Sequence, residues 1–548
     1  MKKLRIVMEI AALAAVLAAA VLLGSPYAPV VQPVREIEEI WAIEDARQES
    51  ETPLVTRLEN NGIPLAYDAY KNTFYCALGL DNADEWPQIH LTAPGAKDVE
   101  ICFVDDYSYD WCQDAVRDGY EYQIIACNDD VYSYAQIVFT GLPILQLRTQ
   151  EKIPEHVDTP AQVSWSYDAD SGVQSHGRAH ERGGWTLLYN EMKHGLRVEF
   201  TRRADGTGKV EMPLEGMGMT SDLVLIPCLS DVMLIRERLC WDLYDRIRGK
   251  DEPFGGREIS YTELFINDEY QGIYLAVKPF DYEQELRMAG REALQTDSIY
   301  RSLSMMDVEE NERPLYDENA GWTFELRYSA KPAGRQFDAF EPFAQLFEAS
   351  QAETEEADAL LEAAFSELMD IDRFLEYALY VQACGLRDNI HNNMYVWARL
   401  TEGRYRYELF PWDLDYSFDA YFENYEDVKW ILTPLLDRLL EIDCGGVMRQ
   451  RTLEKWTQLR DEVFNDAVVE ELMAKYMREL EESGAFARDV ERWNKPVAYP
   501  DGFATADCAS LRFEMLDERF AEIADESLSG VKLEIGESET TAAEEPTP

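Results

Sequence analysis

The sequence predicts an α+β protein: a mixed lobe and a helical lobe, preceded by a small β-sandwich-like module and an N-terminal membrane segment. Three observations carry this reading. An apolar run, Ile10 to Leu23, follows the basic start Met-Lys-Lys-Leu-Arg. Short stretches of alternating aromatic or β-branched and polar residues fill 63–147, broken by turn pairs such as Pro94-Gly95 and Asp118-Gly119. Beyond Phe340 apolar residues recur at helical spacing. A chain of 548 residues has room for several domains, and 12 Trp, 30 Tyr and 22 Phe supply far more buriable surface than a disordered chain carries.

Each element follows in order. Lys and Arg at the very start hold that end on the cytoplasmic side, so the remainder is expected to be extracytoplasmic. Residues 1–31 read as an uncleaved single-pass anchor, because Pro29 after Ala28 makes a poor cleavage site; a cleaved signal peptide is the alternative. The Glu-rich stretch 32–58 reads as a stalk or a short helix. Residues 59–150 form the β-rich module, with strands at Thr73 to Leu80, Gln88 to Leu91, Val99 to Val104, Tyr120 to Cys127 and Tyr134 to Phe139. In 151–345 strands and helices mix. Trp185 to Phe200 reads as strand, turn, strand, and Glu211 to Leu223 as a loop. Asp231 to Ile247 reads as a helix with Asp231 as its N-cap, and Tyr261 to Val277 as a hairpin turned at Asn267-Asp268. Amphipathic helices fill 346–528, and 529–548 end as a disordered acidic tail.

Charge and cysteine usage exclude several functions. With 51 Lys+Arg against 105 Asp+Glu the net charge is −54, which repels nucleic-acid backbones and anionic lipid surfaces and attracts basic partners. None of the nine cysteines lies in a CxxC pair, so zinc-ribbon and thioredoxin-like readings fail. No Gly-x-x-x-x-Gly-Lys-Ser/Thr loop is present, which removes P-loop chemistry.

The chemistry concentrates in one segment. A helix, Asp372 to Cys384, runs into the polar loop Gly385 to Asn393. A hairpin of Met394 to Arg399 and Tyr405 to Phe410 follows, ending in Pro411-Trp-Asp-Leu-Asp. Protein kinases use this order: a loop Asp orients the accepting hydroxyl, an Asn five residues on binds metal, and an Asp after the hairpin binds Mg²⁺. Asp388 and Asn393 have that spacing, and Asp413 follows the hairpin. Hard oxygen ligands for Mg²⁺ are available from Asn392, Asn393, Asp413 and Asp415, the two acids sharing one face of an extended segment.

Asp388-x-x-x-Asn392-Asn393-Met-Tyr-Val-Trp with Phe410-Pro-Trp-Asp-Leu-Asp-Tyr-Ser-Phe resembles the spore-coat CotH kinase family, secreted atypical protein kinases. His176-Gly-Arg-Ala-His, Lys193-His-Gly-Leu-Arg-Val-Glu-Phe, Ser230-Asp-Val-Met-Leu-Ile-Arg-Glu-Arg-Leu and Tyr261-Thr-Glu-Leu-Phe-Ile-Asn-Asp-Glu-Tyr-Gln-Gly-Ile-Tyr-Leu are similar to its upstream segments. The resemblance covers about residues 160–525. It implies an altered kinase-like fold, its mixed N-terminal lobe at 151–345 and its helical lobe at 346–528. It also implies ATP- and Mg²⁺-dependent transfer, with Mn²⁺ as a substitute ion, to Ser or Thr of a protein. By position Asp388 corresponds to the loop aspartate, and Asn393, Asp413 and Asp415 to metal ligands. Lys193, Arg197 and Arg236 are candidates for phosphate contacts, and Trp412 for an adenine face or core packing. The chain departs from the pattern at His176-Gly-Arg-Ala-His, Lys278 and Asp419, each near the expected nucleotide.

Three functions therefore stand at this stage. The first is an extracytoplasmic kinase whose acidic field favours a basic, Ser-rich protein substrate. The second is a surface-anchored pseudokinase or binding module; the third is a carbohydrate-active enzyme using Asp388 and Asp413 as its carboxylate pair. His391 lies in the same loop, and His176 with His180 has i, i+4 spacing in a stretch that reads as strand, so no metal pair is expected there.

Overall fold

The computed structural model describes residues 31–529 except 33–34, 81–89, 97, 105–111, 184–192, 229–230, 232, 304–312, 317–322, 419–429, 432 and 494–503. Residues 1–30 and 530–548, the expected anchor and acidic tail, lie outside the described residues, as does most of the strand expected from Trp185. Among the described residues no helix is long and apolar enough to cross a membrane. All nine cysteines are buried and none is in a disulfide. The chain divides into two units. The first comprises residues 1–229, 258–279 and 476–497; the second comprises 230–257, 280–475 and 498–548.

The first unit opens with a seven-stranded sheet of β1 (Val31–Gln32), β2 (Gln48–Glu49), β3 (Ala66–Asp68), β4 (Thr73–Ala77), β5 (Glu100–Phe103), β6 (Glu121–Cys127) and β7 (Val131–Thr140). Its order is β1-β5-β6-β7-β4-β3, with β2 on β7. The expected sandwich is corrected here: these strands make one mixed sheet, since β7 pairs β4 and β2 in parallel and β6 antiparallel. A three-stranded sheet of Glu59–Asn60, Ile63–Pro64 and Leu91–Thr92 accompanies it. Alternation puts Phe74, Ile124, Ile137 and Phe139 in one core and Cys102, Ile125 and Cys127 in another. The second face is covered by the helix Ile37–Ala46, whose Ile40 and Ile43 are buried; the stretch expected as stalk or helix is thus docked on the sheet.

A closed barrel follows, of β8 (Ile144–Thr149), β9 (Thr159–Ser166), β10 (Gly172–Arg182), β11 (Gly195–Thr201), β12 (Asp222–Ile226), β13 (Ile259–Ile266) and β14 (Glu269–Val277). The expected hairpin is β13–β14. Asn267 and Asp268 both take positive φ, 51° and 63°, which suits the twist of a two-residue turn. Parallel pairing of β8 with β13 closes the barrel around Leu145, Trp165, Val198, Phe200 and Leu264. The expected loop 211–223 instead holds a small hairpin, Met212–Leu214 with Gly218–Thr220, turned through Gly216 at φ 79°. A late helix, Ala485–Trp493, completes this unit: Asp489 accepts the amide of Ile273 at 2.8 Å and Arg488 pairs with Glu263 at 2.9 Å.

The second unit carries a five-stranded sheet of β15 (Ser298–Leu303), β16 (Leu315–Tyr316), β17 (Thr323–Ser329), β18 (Met394–Thr401) and β19 (Arg404–Pro411), ordered β16-β17-β15-β18-β19. Helices Arg236–Arg248, Glu341–Ser350, Glu355–Leu368, Ile371–Cys384, Pro434–Glu441, Met448–Glu462 and Ala504–Ser529, with the first part of Asp466–Glu482, account for most of the rest. The first of these starts later than expected, with Ile235 and not Asp231 as its N-cap, although the Asp231 carboxylate accepts the amides of Ile235 and Arg236 at 2.5 and 2.6 Å. An aromatic core of Trp241, Phe254, Phe280, Trp397, Phe410 and Trp412 joins that helix to the β18–β19 hairpin.

Candidate active site

The second unit brings the polar loop and the acidic loop together. The helix Ile371–Cys384 stops at Gly385, whose φ of 69° gives a left-handed C-cap. A Cβ there would meet the Phe418 amide at 3.2 Å and the Arg512 Nε at 3.3 Å, so glycine also permits the close approach of the following chain. Asp388 then opens a single turn, Asp388–His391, and its carbonyl accepts the amides of Asn392 and Asn393 at 2.8 and 3.0 Å. The side chain of His391 lies outside the described residues.

Asn393 Nδ2 donates to Asp388 Oδ2 at 3.0 Å, and its Oδ1 accepts from Arg301 at 2.6 Å. This pairing fixes the amide orientation, because a flip would set the amide nitrogen against a guanidinium. Asn392 Nδ2 lies 3.5 Å from the same Asp388 oxygen, and its carbonyl accepts from Ser302 Oγ at 2.5 Å. The two asparagines thus hold Asp388 and anchor the loop to β15.

The acidic loop is held from two sides. Buried Asn389 accepts the Trp412 amide at 3.2 Å and donates to the Asp413 carbonyl at 3.3 Å. Buried Glu237, on the helix Arg236–Arg248, accepts the Leu414 amide at 2.6 Å and the Trp241 indole at 2.8 Å. Between these grips Asp413 takes φ 60°, a left-handed conformation that Asp tolerates better than most residues. Neither Asn389 nor Glu237 was singled out from sequence. Adjacency to Asp388 was the available signal for the first; for the second it was the family-like segment Ser230 to Leu239, in which Arg236 alone was picked out.

The acids act on one another's ionisation. Burial, then the carboxylates of Asp413 and Asp388, push the pKa of half-buried Asp415 up to about 7, against the opposing pull of Arg236. Burial, then Asp413 and Asp415, raise that of Glu237 well above the usual carboxylate range. Crowded acids of this kind are relieved by a cation. Among the described residues no group of three or more His, Cys, Asp or Glu side chains stands together so as to hold a metal ion. Mg²⁺, however, takes few protein carboxylates and completes its shell with water and substrate phosphate. Asp413 and Asp415 fit that demand. Asn393 fits less directly, its oxygen being engaged by Arg301.

Of the remaining sequence candidates, Arg236 and Trp412 stand near these acids, and Lys193 and Arg197 belong to the other unit. Trp412 is packed edge-on against Trp241 at 5.9 Å and tilted on Phe280 at 5.6 Å, with 7% exposure, so it is a core residue with no open face for adenine. Arg236 is in the second unit, 3.9 Å from Asp231. Lys193 and Arg197 belong to the first unit. Lys193, 1% exposed, pairs with Asp489 at 2.5 Å and donates to the Ile273 carbonyl at 2.8 Å; Arg197 pairs with Asp222 at 2.6 Å. His176 and His180 lie on strand β10, where His180 pairs with Asp158.

A helix feeding a polar Asp/Asn turn, a hairpin, and an acidic loop returned beside that turn is the local architecture of kinase-like proteins. The family model described as CotH kinase protein matches residues 179–507, more than half of the chain, and the protein belongs to the CotH family. No curated protein matches it.

Proposed function

We propose that this CotH-family protein is an extracytoplasmic protein kinase that transfers the γ-phosphoryl group of ATP to Ser or Thr of a protein substrate. The observation that carries the reading is the meeting of the Asp388 turn and the Asp413–Asp415 loop in one unit, bridged by Asn389. Asp388, held by Asn393, orients the accepting hydroxyl and takes its proton as the oxygen–phosphorus bond forms and ADP leaves. Asp413 and Asp415 hold Mg²⁺ or Mn²⁺, which when bound supplies charge neutralisation on the phosphates. The −54 net charge favours a basic, Ser-rich protein partner, and the apolar segment before β1 provides export, as a single-pass anchor or a cleaved signal peptide.

The test is label transfer from ATP to a basic Ser-rich peptide with Mg²⁺, by residues 32–548 and by their Asp388→Asn and Asp413→Ala variants. Transfer by the unsubstituted protein alone supports the proposal, and transfer that persists at full rate in either variant overturns it. Activity that does not fall with ionic strength removes the charge argument for the substrate. One observation favours a second reading, a surface-displayed pseudokinase: the Asn393 oxygen expected for metal is engaged by Arg301. Absence of transfer together with specific protein capture supports that reading, and nucleotide-independent glycan cleavage supports a carbohydrate-active enzyme.

A further inference from the structure

The helices Arg236–Arg248 and Ile371–Cys384 run in opposite directions against each other, and their register sets two cysteines face to face. Contacts that step back one turn along the first helix step forward one turn along the second. Just past the end of the first helix, Glu252 lies 3.9 Å from Arg373. Arg248 then lies 3.8 Å from Glu376, and the Tyr244 ring 5.0 Å from that of Tyr380. Residues four apart share a helix face, so the next pair in the series is Cys240 with Cys384. The Tyr380 hydroxyl spans the same step, donating to the Cys240 carbonyl at 2.9 Å, and the two thiols are hydrogen-bonded to each other.

Both thiols are fully buried, and the structure holds them as the dithiol. Burial, then the bond to Cys240, keep the pKa of Cys384 well above the ordinary thiol range, so the folded dithiol is a poor nucleophile. Oxidation therefore belongs to folding, while the sulfurs are still open to solvent. Other cysteines are placed differently. Cys444 donates to the Leu361 carbonyl at 3.6 Å. Cys102 and Cys127 share a core but lie on a diagonal, Cys102 registered on Ile125 and Cys127 on Glu100. Such a diagonal spans about 7–8 Å, wider than a disulfide bridges without backbone movement.

The position of the pair gives it a task. Cys240 lies one turn beyond Glu237, which accepts the Leu414 amide, and the Cys384 carbonyl accepts the Phe418 amide at 2.8 Å. The acidic loop is thus fastened to one helix before Asp415 and to the other after it. A slide between the helices would pull these fastenings apart.

We propose that Cys240 and Cys384 are joined by a disulfide bond as the chain folds in an oxidising compartment, locking together the two helices that hold the acidic loop. The oxidant is itself a disulfide, of a small thiol or of a dithiol oxidoreductase. One cysteine thiolate attacks it, giving a mixed disulfide and one free thiol; the second thiolate attacks the mixed disulfide and releases the other thiol. Two electrons pass to the oxidant's sulfurs, and the two cysteine protons end on the thiols released. The bond closes the long loop 240–384 and so restricts the unfolded chain.

The test is cell-free synthesis of the full chain in detergent, in glutathione buffer poised oxidising and again in excess reductant. Each sample is alkylated in denaturant, digested without reductant and mapped by mass spectrometry. The oxidised sample should yield peptides joined at Cys240 and Cys384, and the reduced sample both residues alkylated. The bond should raise the melting temperature by about 5–10 °C, a gain that Cys240→Ala and Cys384→Ala should each lose. Both cysteines alkylated in the oxidised sample, or either joined to another cysteine, overturns the bond. A gain that both variants keep overturns the locking role. Mapping needs only the unsubstituted chain, so it decides even where a variant fails to fold. Neither readout involves phosphoryl transfer: an inactive protein that carries the bond supports this proposal and counts only against the kinase.

Discussion

Glu237 is the most informative residue to remove. Its two carboxylate oxygens accept the amide of Leu414 at 2.6 Å and the indole of Trp241 at 2.8 Å, both in the interior. Glu237→Ala strips the acceptor from both donors. Each buried donor so orphaned costs about 1–3 kcal/mol, so the variant should lose about 2–6 kcal/mol. Glu237→Gln keeps one acceptor oxygen but sets an amide nitrogen against the other donor, and should lose about half as much. Because Leu414 lies between Asp413 and Asp415, both variants should also need more Mg²⁺ for half-maximal activity, with Ala the worse. Urea unfolding followed by tryptophan fluorescence reads the first effect, and a Mg²⁺ titration of transfer reads the second. An alanine variant within about 0.5 kcal/mol of the parent, the range of a neutral surface change, with an unchanged Mg²⁺ requirement, would refute the idea that this side chain holds the acidic loop.

Three further outcomes are expected. Asn389→Ala should destabilise by about 1–3 kcal/mol through the orphaned Trp412 amide and raise the Mg²⁺ requirement, in the same two assays. Asp415, pushed up to about 7 when folded against about 3.9 unfolded, favours the folded state most below about pH 4, and that contribution is lost as pH rises through 7. The loss is at most about 4 kcal/mol, less as solvent screens a half-buried carboxyl. In chelator, unsubstituted protein should therefore lose stability relative to Asp415→Asn from pH 5 to pH 8, and Mg²⁺ at pH 8 should stabilise chiefly the unsubstituted protein; a constant offset between the two contradicts it. Lys193→Met should cost about 3–5 kcal/mol by leaving Asp489 buried and unpaired. A phosphate contact would instead raise KM for ATP and spare the melting temperature.

Local periodicity made much of this protein readable before its structure. The β13–β14 hairpin, the helix Ile371–Cys384 and the strand–turn–strand of β18–β19 each have their pattern and their turn residues in adjacent positions. The Asp388, Asn393 and Asp413 set was legible for the same reason: its parts lie within one helix-to-hairpin passage. What escaped depends on distant partners. Lys193 looks like a free cation until Asp489, 296 residues on, is placed beside it. Arg236, Glu237 and Arg238 are charged yet all buried, which no helical wheel reveals. Cys240 and Cys384 are brought together by the register of two helices, so their meeting has no linear signature. The supposed sandwich failed because parallel partners such as β4 and β7 cannot be told from antiparallel ones by alternation alone.

The barrel's last contributor is a segment made near the end of the chain. Until Ala485–Trp493 has emerged, Lys193 and Glu263 have no counterions from Asp489 and Arg488. Synthesis therefore delivers most of the protein before its first unit can close. A fragment stopped at residue 475 would retain every barrel strand and still expose two charges designed for burial. Dissection by truncation is thus a poor route to an isolated N-terminal piece; supplying residues 476–497, by tether or in trans, is the sounder one.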